Sequence, residues 1–122
     1  MKTEIAPDRL IMGIPFAGNS HPMWVFDRET LAFLDVNDAA ARTYGYSREE
    51  FLRMNIVQIR PPEEVPELLR ETKSPRAKGP NAGDRWRHWN KNREIFTVAI
   101  TSWEVTFRGR AAELVLARRD SE

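Results

Sequence analysis

The run MWVFDRETLAFLDVN, from Met23 to Asn37, decides how the chain folds. Met23-Trp-Val-Phe-Asp27 is a short apolar run rich in strand-forming residues, and Leu31-Ala-Phe-Leu-Asp-Val36 is a second. Only the polar Arg28-Glu-Thr30 separates them, and so short a link predicts an antiparallel hairpin. Asn37 follows at once, with Asp38 and Ala39-Ala-Ala41 behind it. An Asn side-chain oxygen can accept a free backbone N–H at a helix start, and alanine is the best helix former. A helix therefore begins at Asn37 and ends near Gly45, a residue that closes helices in a left-handed conformation.

Working outward, Ser47-Arg-Glu-Glu50 is a capping-box pattern that starts a short helix through Phe51 and Leu52. Pro61 and Pro62 interrupt the chain. Glu63 to Thr72 then reads as a helix whose first-turn carboxylates complement its dipole. Residues 73–84 carry Pro75, Gly79, Pro80 and Gly83 and read as a loop. Beyond them the pattern turns to strands: Arg85 to Asn90, Glu94 to Phe107 and Ala111 to Ala117, joined by Lys91-Asn-Arg93 and Arg108-Gly-Arg110. In the other direction, Gly13, Pro15, Gly18 and Pro22 break any long helix, so residues 1–20 form a lead-in with one short helix ahead of a domain over 21–120. Two strands, a run of short helices and three strands imply an α+β fold with an antiparallel sheet and helices on one face.

Composition narrows the chemistry. The 122 residues suit one domain, and 19 Lys and Arg against 18 Asp and Glu leave a net charge of +1, too small for a whole-molecule field to direct binding. There is no cysteine, which removes disulfides, thiolate metal sites and iron–sulfur clusters. With only His21 and His88, a multi-histidine metal site is not expected. No apolar run nears the ~18 residues of a membrane span, and Met1 to Arg9 has no apolar stretch of a secretion signal, so direct membrane insertion is not expected and a cytoplasmic location is. No nucleophile–base pair, paired-carboxylate site or phosphate-cradling glycine loop stands out, so the chain is not expected to be an enzyme by itself. Residues 73–93 hold seven cations against Asp84 alone, with Trp86 and Trp89 among them. Such a mixture can suit single-stranded nucleic acid, but it reads here as a solvated loop and strand edge, with no nucleic-acid partner expected.

Several of these pieces, taken in order, resemble a PAS domain of the bacterial sensory type. They are His21-Pro-Met-Trp-Val-Phe-Asp27, Phe33-Leu-Asp-Val-Asn37, Tyr44-Gly-Tyr-Ser47, Glu49-Glu-Phe-Leu52, Ile59-Arg-Pro61, Trp86-Arg-His88, Lys91-Asn92, Phe107-Arg-Gly-Arg110 and Leu114-Val-Leu-Ala117. The resemblance implies a five-stranded antiparallel sheet in the order 2-1-5-4-3, roofed by short helices over a core that in some members is a ligand cavity. It implies a sensory module of a larger signalling protein such as a sensor histidine kinase of a two-component system, acting by ligand sensing, dimerisation or both. The alternative is a passive dimerisation scaffold. Arg93 stands where the family usually has Gly, and the ending Arg118-Arg-Asp-Ser-Glu122 lacks the family's usual junction to a signalling helix, so an excised module with its output domain elsewhere is expected. Without cysteine, neither a cysteinyl flavin adduct nor a thioester-linked chromophore can form. Glu63 to Thr72 has no histidine where haem-binding members carry one, so haem is not expected.

Alternation along the strands, oriented by that resemblance, points Trp86, His88, Val98, Ile100 and Ser102 toward the helices as the lining of a ligand pocket, with a packed core as the alternative. The opposite face carries Thr97, Ala99, Thr101, Trp103 and Val105 and needs a cover. Leu10 to Phe16 in the same chain, or a second copy, can supply it. A homodimer is expected, with Trp89, Trp103 and Val105 at its interface, and Trp103→Glu is expected to weaken self-association more than folding. Asn37, Glu50 and Lys91 are structural candidates. Asn37 caps a helix, and the resemblance pairs a carboxylate from Glu49 or Glu50 with Lys91 across the helix–sheet boundary.

Overall fold

The structure, a computed structural model, describes residues 10–11, 14–73 and 81–119. Residues 74–80 of the loop expected over 73–84, residues 12–13 and both chain ends lie outside the described residues. Five strands form one antiparallel sheet: β1 (Met23–Asp27), β2 (Phe33–Val36), β3 (Asn81–Trp89), β4 (Ile95–Phe107) and β5 (Arg110–Arg119). Their order is β2-β1-β5-β4-β3, the order that the family resemblance implies. β1 lies between β2 and β5, pairing Trp24 with Val36 on one side and with Val115 on the other. Both its faces are buried, which explains its unbroken apolar run.

The middle of the chain forms α1 (Asp38–Tyr44), α2 (Arg48–Phe51), 3₁₀ turns at Ile56–Ile59 and Pro62–Glu64, and α3 (Val65–Lys73). Asn37 caps α1 by accepting from the Ala40 N–H, and Gly45 closes it at φ +83°. Ser47 and Glu50 form both halves of the capping box on α2. The turn at Ile56–Ile59 is not anticipated from the sequence. There Asn55 accepts from the Val57 N–H, and Gln58 reaches back to the Asn55 N–H. The expected helix from Glu63 divides, because a 3₁₀ turn follows Pro61 before α3 begins at Val65. β3 starts at Asn81 rather than Arg85, with a register irregularity between Ala82 and Asp84 that Gly83 accommodates. In the lead-in, Leu10–Ile11 pairs with Ile14–Pro15 as a two-stranded bridge, and no helix forms among the described lead-in residues, residues 1–9 and 12–13 lying outside them.

Two apolar clusters lie on opposite faces of the sheet. The larger, under the helices, joins Trp24, Phe26, Tyr44, Phe51, Ile59, Phe96, Val98, Ile100 and Val115. The smaller joins Phe16, Met23, Val25, Trp103, Val105, Phe107 and Leu114. β4 serves both: Phe96, Val98 and Ile100 are buried on the roofed side, while Trp103, Val105 and Phe107, of the opposite parity, are buried on the outer side.

Candidate functional site

Between the roof and the sheet lies a cavity of about 40 Å³. At roughly 10–15 Å³ per water it holds about three waters, or a molecule with a handful of non-hydrogen atoms. β1 contributes Trp24 and Phe26, β3 contributes Trp86, and β4 contributes Ile100 and Ser102. The roof contributes Ile56, Arg60, Leu68, Glu71 and Thr72, and β5 contributes Glu113 and Val115.

Arg60 is the unusual wall. It caps the 3₁₀ turn with extended backbone (φ −121°, ψ 143°), a conformation favoured before Pro61. The side chain is 7% exposed, and its guanidinium lies over the Trp86 ring, 4.3 Å from the centroid. Nε and Nη1 are buried without a hydrogen-bond partner among the described residues. Burial pushes this guanidinium down to about 10, against the opposing pull of Tyr44, Glu64 and Glu67. Ser102 Oγ, on the floor, is also buried and unpartnered. Glu113 is paired with Arg28 at 2.9 Å.

Beside the cavity His88 is fully buried, with Nδ1 2.6 Å from the Tyr44 hydroxyl. Its Nε2 has no partner among the described residues. Burial, reinforced by the Arg60 charge, keeps the imidazole neutral well below its ordinary range, and burial drives the Tyr44 phenol far above its own.

Of the five expected pocket residues, Trp86, Ile100 and Ser102 line the cavity, while His88 and Val98 are fully buried next to it. Sequence reading passed over Trp24, Phe26 and Arg60. The first two share one parity of β1 and were legible by alternation. The signal for Arg60 is one charge held between Ile59 and Pro61. Asn37 does more than cap a helix: its amide joins α1, β1 and the lead-in. Lys91 Nζ meets Glu50 Oε2 at 2.8 Å in an exposed pair, and that bond is the chief reason the Glu50 carboxyl is held below its usual range.

The three expected interface residues are placed differently. Trp103 and Val105 are 5% and 1% exposed within the chain itself, packed with Phe16, so the lead-in covers this part of the outer face in cis. Neither offers a free side chain to a second copy. Trp89 donates its ring N–H to the Gln58 carbonyl and stacks under Arg93. It sits on the edge strand β3, so a side chain of outer parity wraps past the free edge to the roof. Two cations of the basic stretch are likewise engaged: Arg87 bonds Glu63 and Glu64, and Lys91 bonds Glu50.

This arrangement, an antiparallel sheet of order 2-1-5-4-3 with short helices over a partly hollow core, defines the class. A family model described as PAS fold matches residues 18–118, and the chain belongs to that family. Solved structures agree. One is a PAS domain from a two-component sensor histidine kinase, 23% identical, with a TM-score of 0.66 over 85% of this chain and 88% of that one. Another is the PAS domain of an HTR-like protein from Haloarcula marismortui, 13% identical, with a TM-score of 0.74 over 86% and 85%. A third is the PAS domain, in complex with ethanol, of a LuxR-family transcriptional regulator from Burkholderia thailandensis, 16% identical, with a TM-score of 0.69 over 88% and 95%. No curated protein matches the sequence significantly. No helix among the described residues is long and apolar enough to cross a membrane.

Proposed function

We propose that the chain is the input module of a signalling protein, that it reads a small molecule in the cavity under its helical roof, and that it passes the outcome to an output domain such as a histidine kinase. The chemistry of signalling then resides in that output domain. The observation that carries this reading is the cavity itself: it is walled by Trp24, Phe26 and Trp86, and two polar side chains, Arg60 and Ser102, face it without partners among the described residues. A packed scaffold would gain stability by filling that space and pairing those groups. A related PAS domain in complex with ethanol is consistent with occupancy by something equally small. Mass spectrometry of the purified protein under native conditions tests the reading. A retained or added small molecule supports it; an empty protein that no small alcohol, amide or acid stabilises against heat would overturn it.

Dimerisation is a second, compatible reading. On the outer face Leu34 and Leu116 remain half-buried beside the smaller cluster, and Thr101, the β4 partner of Leu116, lies next to them. A second copy seated there would complete their burial, with Trp103 and Val105 beneath the contact rather than in it. Sedimentation of Leu116→Glu should then show a monomer where the parent is a dimer.

A further inference from the structure

We propose that the cavity takes a small monocarboxylate, its carboxylate against Arg60 and Ser102 and its apolar end between Trp24, Phe26 and Ile100. This rests on the ligand-sensing reading above. A buried guanidinium needs acceptors in the plane of its N–H groups; the Trp86 ring satisfies only its face. Two nearby carboxylates are engaged elsewhere, Glu64 with Arg87 and Glu113 with Arg28, and Glu71, which lines the same space, makes no hydrogen bond to the guanidinium Nε or Nη1. An unpaired buried cation is a standing loss for a protein that never binds an anion. Ser102 Oγ adds one donor to the same space. A carboxylate satisfies both groups, since its oxygens accept from guanidinium and hydroxyl together.

The rest of the wall limits the ligand further. Glu71 and Glu113 also face the cavity, so a second negative charge on the ligand would meet carboxylates of like sign. That argues against dicarboxylates and phosphate dianions. The volume of about 40 Å³ admits a short chain and no ring system of flavin size.

Calorimetry and intrinsic tryptophan fluorescence can be run with three probes: propionate, its neutral isostere propionamide, and the dianion succinate. Trp24 and Trp86 border the site and report on occupancy. Propionate should bind saturably, propionamide about tenfold or more weakly, and succinate not measurably. Arg60→Leu should abolish propionate binding while raising the melting temperature of the ligand-free protein, a combination that a purely structural arginine would not give. Ser102→Ala keeps the fold and should weaken propionate several-fold, which holds the test open if Arg60→Leu fails to fold. Equal binding of propionate and propionamide overturns the carboxylate assignment and leaves the sensing cavity standing. So does failure of all three probes while native mass spectrometry reveals some other retained molecule. Failure of the probes together with an empty protein overturns both readings.

Discussion

Asn37 joins three segments through one buried amide. Its Oδ1 accepts from the N–H groups of Met23 and Ala40, both at 3.0 Å, and its Nδ2 donates to the carbonyls of Phe16 at 2.9 Å and His21 at 3.0 Å. Asn37→Ala removes a helix cap worth about 1 kcal/mol and orphans further groups at about 1–3 kcal/mol each, so a loss of about 3 kcal/mol is expected in urea unfolding. Asn37→Asp keeps the acceptor but turns a carboxylate toward two carbonyls, so it should also destabilise, and more at neutral than at acid pH. His88 supplies a second residue-scale test. In the unfolded chain it takes up a proton as pH falls through 6.5; in the fold it stays neutral well below that value. The unfolded state therefore binds more protons, and the stability this group contributes is fully present above 6.5 and is lost as pH falls beneath it. His88→Phe should flatten the acid limb of the stability curve, by about half of 1.4 kcal/mol per pH unit at 6.5 and by nearly all of it a unit lower, read by thermal or urea melts across pH. An unchanged slope would mean that the imidazole is not held neutral.

Among the elements, the hairpin joining β4 and β5 isolates a backbone effect. Arg108 and Gly109 take φ of +53° and +78°, the paired positive values of a tight two-residue turn. A Cβ at Gly109 would meet nothing within 4 Å, so Gly109→Ala tests conformation alone and should cost about 1 kcal/mol. Arg108→Asn should gain about 0.5–1 kcal/mol, because Asn enters this region more readily than Arg. Chemical denaturation of the pair of variants reads both signs. At the sheet's free edge, Glu64 accepts from the Arg87 backbone N–H as well as from its side chain, which blunts an edge strand that would otherwise invite pairing. These elements show what the sequence could reveal. The hairpin, the caps at Asn37 and Ser47 and the alternation of β4 were legible because each depends on residues a few positions apart. The 3₁₀ turn at Ile56–Ile59, the inward set of Arg60 and the wrap of Trp89 round the edge were not, because roof-to-sheet packing decides them. For the same reason alternation, oriented by the family resemblance, grouped the residues of one face but could not separate the cavity lining, Trp86, Ile100 and Ser102, from the packed His88 and Val98.

Across the whole molecule, the sheet divides the structure into two apolar clusters with separate duties. One is roofed by helices and left partly hollow; the other is closed by Phe16. Strand parity puts Trp103 and Val105 on one face, and the family resemblance turns that face outward, but whether the lead-in or a second copy covers them depends on where Phe16 settles, and there the Asn37 amide, far along the chain, bonds the Phe16 carbonyl. Phe16 is 1% exposed, so Phe16→Ala should cost about 3–5 kcal/mol and shift tryptophan emission to the red as Trp103 meets water. The roofed cluster lies across the sheet with no residue in common, so a mild change there, Ile59→Val, should cost about 0.5–1.5 kcal/mol on its own. Combined with Phe16→Leu, chosen because it leaves enough stability to measure, its cost should add to within about 0.5 kcal/mol. Coupling well above that figure in a double-mutant cycle by urea unfolding would show that the two faces communicate through the sheet. Near-additivity would mean instead that a ligand under the roof reaches the outer face only by moving strands as units.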